Sequence, residues 1–277
     1  MPVITKISVN KTLPNCYDIF FDNGEGMNSV TIHKNTFVRF GISKGMELDV
    51  ERLQKIVFED EVQKGFDRAA IYLSYSMRSI KQVEKDLLEK GFPPIVAEVV
   101  IDRLKEKGYV NDREFARSFV RTQLKTTDKG PLHIKKLLRD KGIDEKTIEE
   151  EIVLYSLEMQ REKALYLTEK WLKKKKGLSV SLLKVELYSM LKRKGFEERV
   201  IREAIDEIVQ SLDDGHNLEA IKRQGEKAVR KYRNSPPEIR KMKIKQYLFR
   251  KGFSVDLIHQ YVEQLDEIEG MDGKDEW

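Results

Sequence analysis

The chain has 277 residues and a mass of 32.5 kDa, with 40% hydrophobic and 36% charged residues. A charged share so far above the roughly one quarter of an average globular domain points to slender helices with much solvated surface, and the length suits two ordinary domains or one array of repeats. A single cysteine, Cys16, excludes an internal disulfide, no run approaches the roughly 18 apolar residues of a membrane span, and the N-terminus lacks the pattern of an export signal, so a cytoplasmic chain with no membrane partner is expected.

In chain order, Ile4 to Val9, Cys16 to Phe21 and Val30 to His33 alternate in strand fashion, with Asp22-Asn23-Gly24 as a hairpin signal. This predicts a small β-rich subdomain over 1–48, followed over 49–65 by a connecting helix from about Val50 to Lys64. From there the chain repeats. Lys-Gly followed by Phe or Ile occurs at Lys90-Gly91-Phe92, Lys141-Gly142-Ile143, Lys194-Gly195-Phe196 and Lys251-Gly252-Phe253, the glycines 51, 53 and 57 residues apart.

The surrounding frame carries more information than the motif itself. Eight residues before each glycine stand Val83, Ile134, Leu187 and Ile244, and four before stand Leu87, Leu138, Leu191 and Leu248. Six, ten and thirteen after it stand Ala97, Ile101 and Leu104; Ile148, Ile152 and Tyr155; Ile201, Ile205 and Ile208; and Ile258, Val262 and Leu265. With the residue after glycine, 24 of 24 positions are apolar, where a 40% composition predicts about ten. A helix with inward positions four apart ends at a glycine suited to the left-handed cap, the next residue folds back on the leucine, and a second amphipathic helix follows. Ser79 with Gln82 reads as a capping box, Ser235-Pro236-Pro237-Glu238 as N-cap, N1 proline and N3 glutamate, and Asn111 or Asp112 as the cap of another helix.

Upstream of each pair lies room for one more helix, with Ala70 and Leu73, Phe115 and Phe119, Ala164, Leu167 and Trp171, and Ile221, Ala228 and Tyr232 facing inward. The fold expected is therefore mainly all-α: four tandem three-helix repeats, about 66–112, 113–158, 159–213 and 214–269, stacked into an elongated curved solenoid, with a disordered tail over 270–277.

Charge follows the same period. Residues 117–141 hold eight Lys/Arg against two acids, 170–194 nine against one, and 222–251 twelve against two, with acidic stretches at 144–158, 197–213 and 254–269 between or after them. Each cationic second helix could pair with the acidic third helix beside it. That pairing does not cover Lys173-Lys174-Lys175-Lys176 or the excess over 222–251, which have the form of a phosphate-binding footprint or of a contact for a partner's acidic surface. Catalytic signals are lacking: His33, His133, His216 and His259 are scattered, no spacing suits zinc, no nucleotide-binding fingerprint occurs, and Cys16 has no evident base, so neither enzyme activity nor a cofactor is expected.

Ala70-Ile71-Tyr72-Leu73, Arg78-Ser79, Val83, Leu87, Lys90-Gly91-Phe92, Gly108-Tyr109-Val110-Asn111-Asp112, Phe115-Ala116, Lys129-Gly130-Pro131 and Leu138 through Ile143 together resemble the RecX family of regulatory proteins, in order and spacing, over about 69–155. The β-segment resembles that of the longer members; Ser76 and Gln82 depart from the family, which often has a basic residue and usually Glu there. The resemblance implies a regulator, in the inhibiting sense, of the RecA recombinase in recombination and the SOS response. Such a protein binds the groove of the RecA filament on single-stranded DNA, restrains its growth and activities, and binds DNA itself; for this chain a monomer is expected, with double-stranded DNA a further candidate partner beside single-stranded DNA.

Candidate contacts for partner or DNA are Tyr72, which is either core or a stacking surface, and Arg78, either a surface ion pair or a partner contact. In the basic stretches they are Lys125, Lys129, Lys135, Lys136 and Arg139; Lys173, Lys174, Lys175, Lys176, Lys184, Lys192 and Arg193; and Arg240, Lys241, Lys243 and Lys245. The competing class is a free-standing DNA-binding helical-repeat protein without filament specificity, and a third is a protein-interaction solenoid whose charge is solvation alone.

Overall fold

A computed structural model describes residues 2–22, 26–175, 177–212 and 215–272, with side chains through 265. Strands β1 (Val3–Val9), β2 (Cys16–Asp22) and β3 (Met27–His33) form one antiparallel sheet in the order β1-β2-β3, with Cys16 opposite His33 and Val9 opposite Tyr17. Ile4, Ile19 and Ile32 from its inward face close a small core with Ile42, Leu48 and Ile56. Asn23 and Gly24 of the expected turn lie outside the described residues. The short helix α1 (Lys34–Arg39), which no sequence signal announced, begins where the His33 ring accepts a hydrogen bond from the Asn35 N–H.

Twelve further helices follow among the described residues: α2 (Val50–Tyr75), α3 (Ile80–Glu89), α4 (Pro94–Glu106), α5 (Asp112–Thr126), α6 (Pro131–Asp140), α7 (Glu145–Ile152), α8 (Leu157–Lys174), α9 (Val180–Lys194), α10 (Glu198–Gln210), α11 (His216–Tyr232), α12 (Pro237–Arg250) and α13 (Val255–Asp272). The helix expected over 50–64 does not stop there. It runs unbroken to Tyr75, because Gly65 is a buried helical residue at which α4 approaches closely: a Cβ there would stand 3.0 Å from the Val100 side chain. At the other end α13 continues through Asp272, so the start expected for the tail at 270 is corrected to a helical segment, and 273–277 lie outside the described residues.

The chain divides into two compact units, Met1–Phe119 with Leu138–Glu151, and Val120–Leu137 with the chain from Ile152 onward. In the first, Val62, Val83, Leu87, Val96, Ala97, Val100 and Leu104 form a core under α2, α3 and α4. In the second, α8 packs on α10 and α9 on α10, and Ile221, Ile244, Leu248, Phe253, Ile258 and Val262 join α11, α12 and α13. Of the 24 frame positions all but Phe92 and Leu265 are buried, and those two are half-buried. A fully buried leucine is worth roughly 2 kcal/mol of transfer free energy. Removal of these side chains from water therefore holds each helix on its neighbours.

The Lys-Gly motifs end α3, α6, α9 and α12 as their spacing predicts. Gly91, Gly142, Gly195 and Gly252 have φ between 78° and 86°. The next N–H donates back to the leucine carbonyl: Phe92 to Leu87 at 3.1 Å, Ile143 to Leu138 at 3.1 Å, Phe196 to Leu191 at 3.2 Å and Phe253 to Leu248 at 3.4 Å.

The same ends also serve as joints. At the start of α3 the Ser79 hydroxyl donates to the Lys141 carbonyl at 2.7 Å, and the Ile80 N–H donates to the Asp112 carboxylate at 2.9 Å. At the start of α9 the Ser179 hydroxyl donates to the Lys251 carbonyl at 2.8 Å, and the Val180 N–H donates to the Asn217 side-chain carbonyl at 3.1 Å. At the start of α6 the N–H of Gly130 donates to the Lys194 carbonyl at 2.6 Å and that of Leu132 to Gly195 at 3.0 Å. In the α6 joint backbone N–H groups of one helix start meet carbonyls of another helix end, whereas in the other two a serine hydroxyl meets such a carbonyl and the helix-start N–H is met by a side chain from the first turn of a third helix.

Of the other expected caps, the Ser79–Gln82 box is present, and Asn111 rather than Asp112 caps α5, accepting from the N–H groups of Arg113 and Glu114. Ser235 does not cap α12. The cap position falls one residue later, on Pro236, without a side-chain hydrogen bond, the helix starts at Pro237, and the Ser235 hydroxyl accepts instead from Lys243.

Candidate nucleic-acid and partner interface

Charge pairing inside the fold decides which cations remain for a partner. The sequence admits pairing of second with third helices, and examples occur among the described residues: Arg139 of α6 grips Glu145 through two nitrogens, one at 2.7 Å, and Lys192 of α9 donates to the Tyr188 hydroxyl at 3.2 Å, which itself donates to Glu198 at 2.7 Å. The Tyr188 bond holds the Lys192 ammonium above the ordinary lysine range. The better-buried pairs instead join first and third helices. Glu151 of α7 is 2% exposed and accepts from Arg113 and Arg117 of α5, both at 2.9 Å, and Glu203 of α10 takes Arg161 of α8 as well as Arg199 of its own helix. The hydrogen bond from Arg117, then that from Arg113, hold the Glu151 carboxyl below the usual range against the effect of its burial.

Among the remaining candidates, Lys129 donates to the Gln123 side chain at 3.1 Å, and Lys135, Arg240 and Lys241 each engage another group of the fold. Lys125, Lys136, Lys184, Arg193 and Lys245 are exposed, with no carboxylate within 4.0 Å among the described residues. Lys173 and Lys174 close the last turn of α8 and Lys175 caps it, so the negative end of that helix accounts for part of their placement. Lys176 lies outside the described residues. Tyr72 is half-buried against the first core, with the Arg78 guanidinium 4.7 Å from its ring centroid.

The densest arrangement lies on α11 and α12. The Lys231 ammonium sits 5.3 Å from the ring centroid of Tyr232 and 5.8 Å from that of Tyr247; Lys243 is 5.8 Å from Tyr232, and Lys251 is 5.5 Å from Tyr247. Three ammonium groups thus converge on two half-buried rings. None has a carboxylate within 4.0 Å among the described residues; nearby, Arg230 pairs with Glu226, loosely at 4.0 Å and well exposed. The Tyr247 hydroxyl donates to the buried Gln224 side chain at 3.0 Å, and Gln224 donates to the Gly177 carbonyl at 2.7 Å, which fixes the ring. The negative faces of the rings offset part of the mutual repulsion, each contact contributing on the order of 0.5–1 kcal/mol at an exposed site. A bound polyanion would relieve the rest.

Of this cluster the sequence singled out Lys243 alone. In the sequence Lys251 reads as part of the scaffold motif and Tyr232 as an inward residue, and no local pattern marks Lys231 or Tyr247. The available signal was the pair of tyrosines among twelve cations, each on a helix face adjoining the core face. Lys141, at the matching motif position, likewise reaches the rings of Phe115 and Phe119, at 5.9 and 5.4 Å.

Comparison with known proteins gives one consistent result. Family models for the first, second and third three-helix domains of RecX match residues 63–104, 111–151 and 216–262. The chain is 44% identical over 265 residues to the regulatory protein RecX of Bacillus subtilis, covering 95% of this chain and 99% of that one. It is 41% identical over 264 residues to its counterpart in Bacillus licheniformis, with the same coverage. A crystal structure of a regulatory protein RecX superposes with a TM-score of 0.64 at 29% identity, covering 74% of this chain and all of the other. RecX from Lactobacillus salivarius does so with 0.53 at 34%, covering 55% and 99%.

Proposed function

The chain belongs to the RecX family of regulatory proteins, and on that premise we propose that it binds the RecA filament formed on single-stranded DNA and limits the filament's growth and activity in recombination and the SOS response. It works as a monomer in the cytoplasm, by binding and without catalysis. Its α11–α12 face takes the phosphates of the DNA. The observation that carries this reading is the convergence of Lys231, Lys243 and Lys251 on Tyr232 and Tyr247 with no acidic partner among the described residues. Lysines that neutralise phosphates release condensed counterions, and an aromatic bed among them suits a strand whose bases are free to stack. No helix among the described residues is long and apolar enough to cross a membrane.

The test compares binding to three targets at one ionic strength: single-stranded DNA, RecA alone and RecA-coated single-stranded DNA. Tighter binding to the coated strand than to either component, with slower RecA addition, is the expected result. Equal affinity for bare and coated DNA would instead favour a free-standing DNA-binding protein.

A further inference from the structure

Four arginines of the first unit are half-buried: Arg68, Arg78, Arg103 and Arg117. Three have carboxylates. Arg68 holds Asp86 through two nitrogens at 2.9 and 2.7 Å, Arg103 holds Glu59 at 2.7 Å, and Arg117 holds Glu151 at 2.9 Å. Arg78 has none among the described residues. Its Nε is shut away from solvent with no hydrogen-bond acceptor, and its guanidinium is held over the face of Tyr72 at 4.7 Å. A desolvated donor on a charged group is costly to leave unpaired, and the cation–π contact offsets only part of that cost. The terminal nitrogens are not among the buried unsatisfied atoms, so the outer edge of the fork remains open to a ligand.

The surroundings decide what kind of acceptor fits. Ile71, Tyr75 and Met77 beside it in sequence are 53%, 78% and 55% exposed, and residues 69–77 contain no other cation. A phosphate backbone is met by several cations in a row, as on α11 and α12. A single aromatic-backed arginine in an apolar rim is the usual composition of a protein–protein hot spot. Resting on the filament-binding reading above, we infer that Arg78, backed by Tyr72 and close in sequence to the exposed Ile71, Tyr75 and Met77, is a docking site for an acidic side chain on the protein component of the filament. The carboxylate would be held end-on by the two terminal nitrogens of Arg78, and not through Nε as Arg68 holds Asp86 within the fold.

The experiment uses the full-length chain and its Arg78→Gln, Arg78→Lys and Tyr72→Leu variants against RecA alone, RecA-coated single-stranded DNA and bare oligo-dT, with melting temperatures as a control on folding. Arg78→Lys keeps the charge and loses the fork, so it decides the matter if Arg78→Gln fails to fold. The expected result is at least tenfold weaker binding to RecA and to the coated strand for both arginine variants, a smaller loss for Tyr72→Leu, and unchanged binding to oligo-dT. Equal loss on oligo-dT would make Arg78 a phosphate contact and overturn the inference; unchanged affinity for all three targets would overturn it as well. If the parent itself bound neither RecA nor the coated strand, the filament reading would fail and this site with it, an outcome visible before any variant is compared.

Discussion

The Ser79 hydroxyl donates to the Lys141 carbonyl, 62 positions further on, while accepting from the Gln82 N–H at 3.3 Å, so one buried side chain both caps α3 and fastens the end of α6 to it. Ser179 and Lys251 repeat the arrangement across 72 positions. Ser79→Ala or Ser179→Ala removes a cap acceptor and leaves a helix-end carbonyl without its donor. Each should lower stability by about 2 kcal/mol, read from the midpoint of urea unfolding. Losses below about 0.5 kcal/mol for both would mean that the joints do not hold the helices together.

Two of the cap glycines should respond differently to the same substitution. A Cβ at Gly91 meets nothing within 4 Å, whereas at Gly195 it would stand 2.6 Å from the His133 backbone nitrogen, inside a joint. Gly91→Ala should therefore show only the left-handed strain of about 1 kcal/mol, and Gly195→Ala more, since backbone there must move. Equal losses in chemical denaturation would contradict the close approach.

Glu151 ties stability to acid pH. Its folded pKa is depressed, so its contribution is fully present above the unfolded value and disappears as pH falls through the folded one. Glu151→Gln should cost about 2 kcal/mol at pH 7. The gap from the parent should begin to close below about pH 4, near the value of an unfolded glutamate, and vanish once pH lies below the depressed folded value. A gap independent of pH would show that packing, and not charge, is what the substitution removes.

Asp112 has the opposite sign. Burial pushes its carboxyl up, although the bond from the Ile80 N–H pulls it down; the charged form therefore costs stability above the folded pKa, and the cost is relieved as pH falls through it. Asp112→Asn keeps the acceptor, and at the matching joint Asn217 already fills this role. The variant should be as stable as the parent or more so at pH 7, with any advantage gone once both are taken below about pH 4, where the unfolded aspartate also protonates. A loss of more than about 1 kcal/mol at pH 7 would show that the carboxylate's attraction to the start of α3 outweighs its desolvation.

Local chemistry explains what was legible in the sequence. Leu191, Gly195 and Phe196 lie within six positions of one another, so helix end, cap and fold-back could be read without knowing what lay beside them. Lys64-Gly65-Phe66 shows where that logic stops: the same residue types sit in mid-helix because Gly65 faces Val100 of α4, a neighbour that only the tertiary fold supplies. The joints and the tyrosine cluster were hidden for the same reason. Lys251 reads as a helix end from its neighbours, and nothing local says that its carbonyl receives Ser179 or that its ammonium reaches Tyr247. Ser235 has the residue type of a cap, yet two prolines after it move the helix start and free its hydroxyl for Lys243.

The most direct measurement is the salt dependence of binding to single-stranded DNA for the parent and for a Lys231→Gln, Lys243→Gln, Lys251→Gln triple variant. If the three ammonium groups neutralise phosphates, the slope of log affinity against log salt should become shallower by about 2, at roughly 0.7 per phosphate, and affinity should fall at low salt. The melting temperature should change little, since relief of the mutual repulsion among the three ammonium groups offsets the loss of their ring contacts. A triple variant that binds with the parent's affinity and the parent's slope would contradict the assignment of the α11–α12 face to DNA.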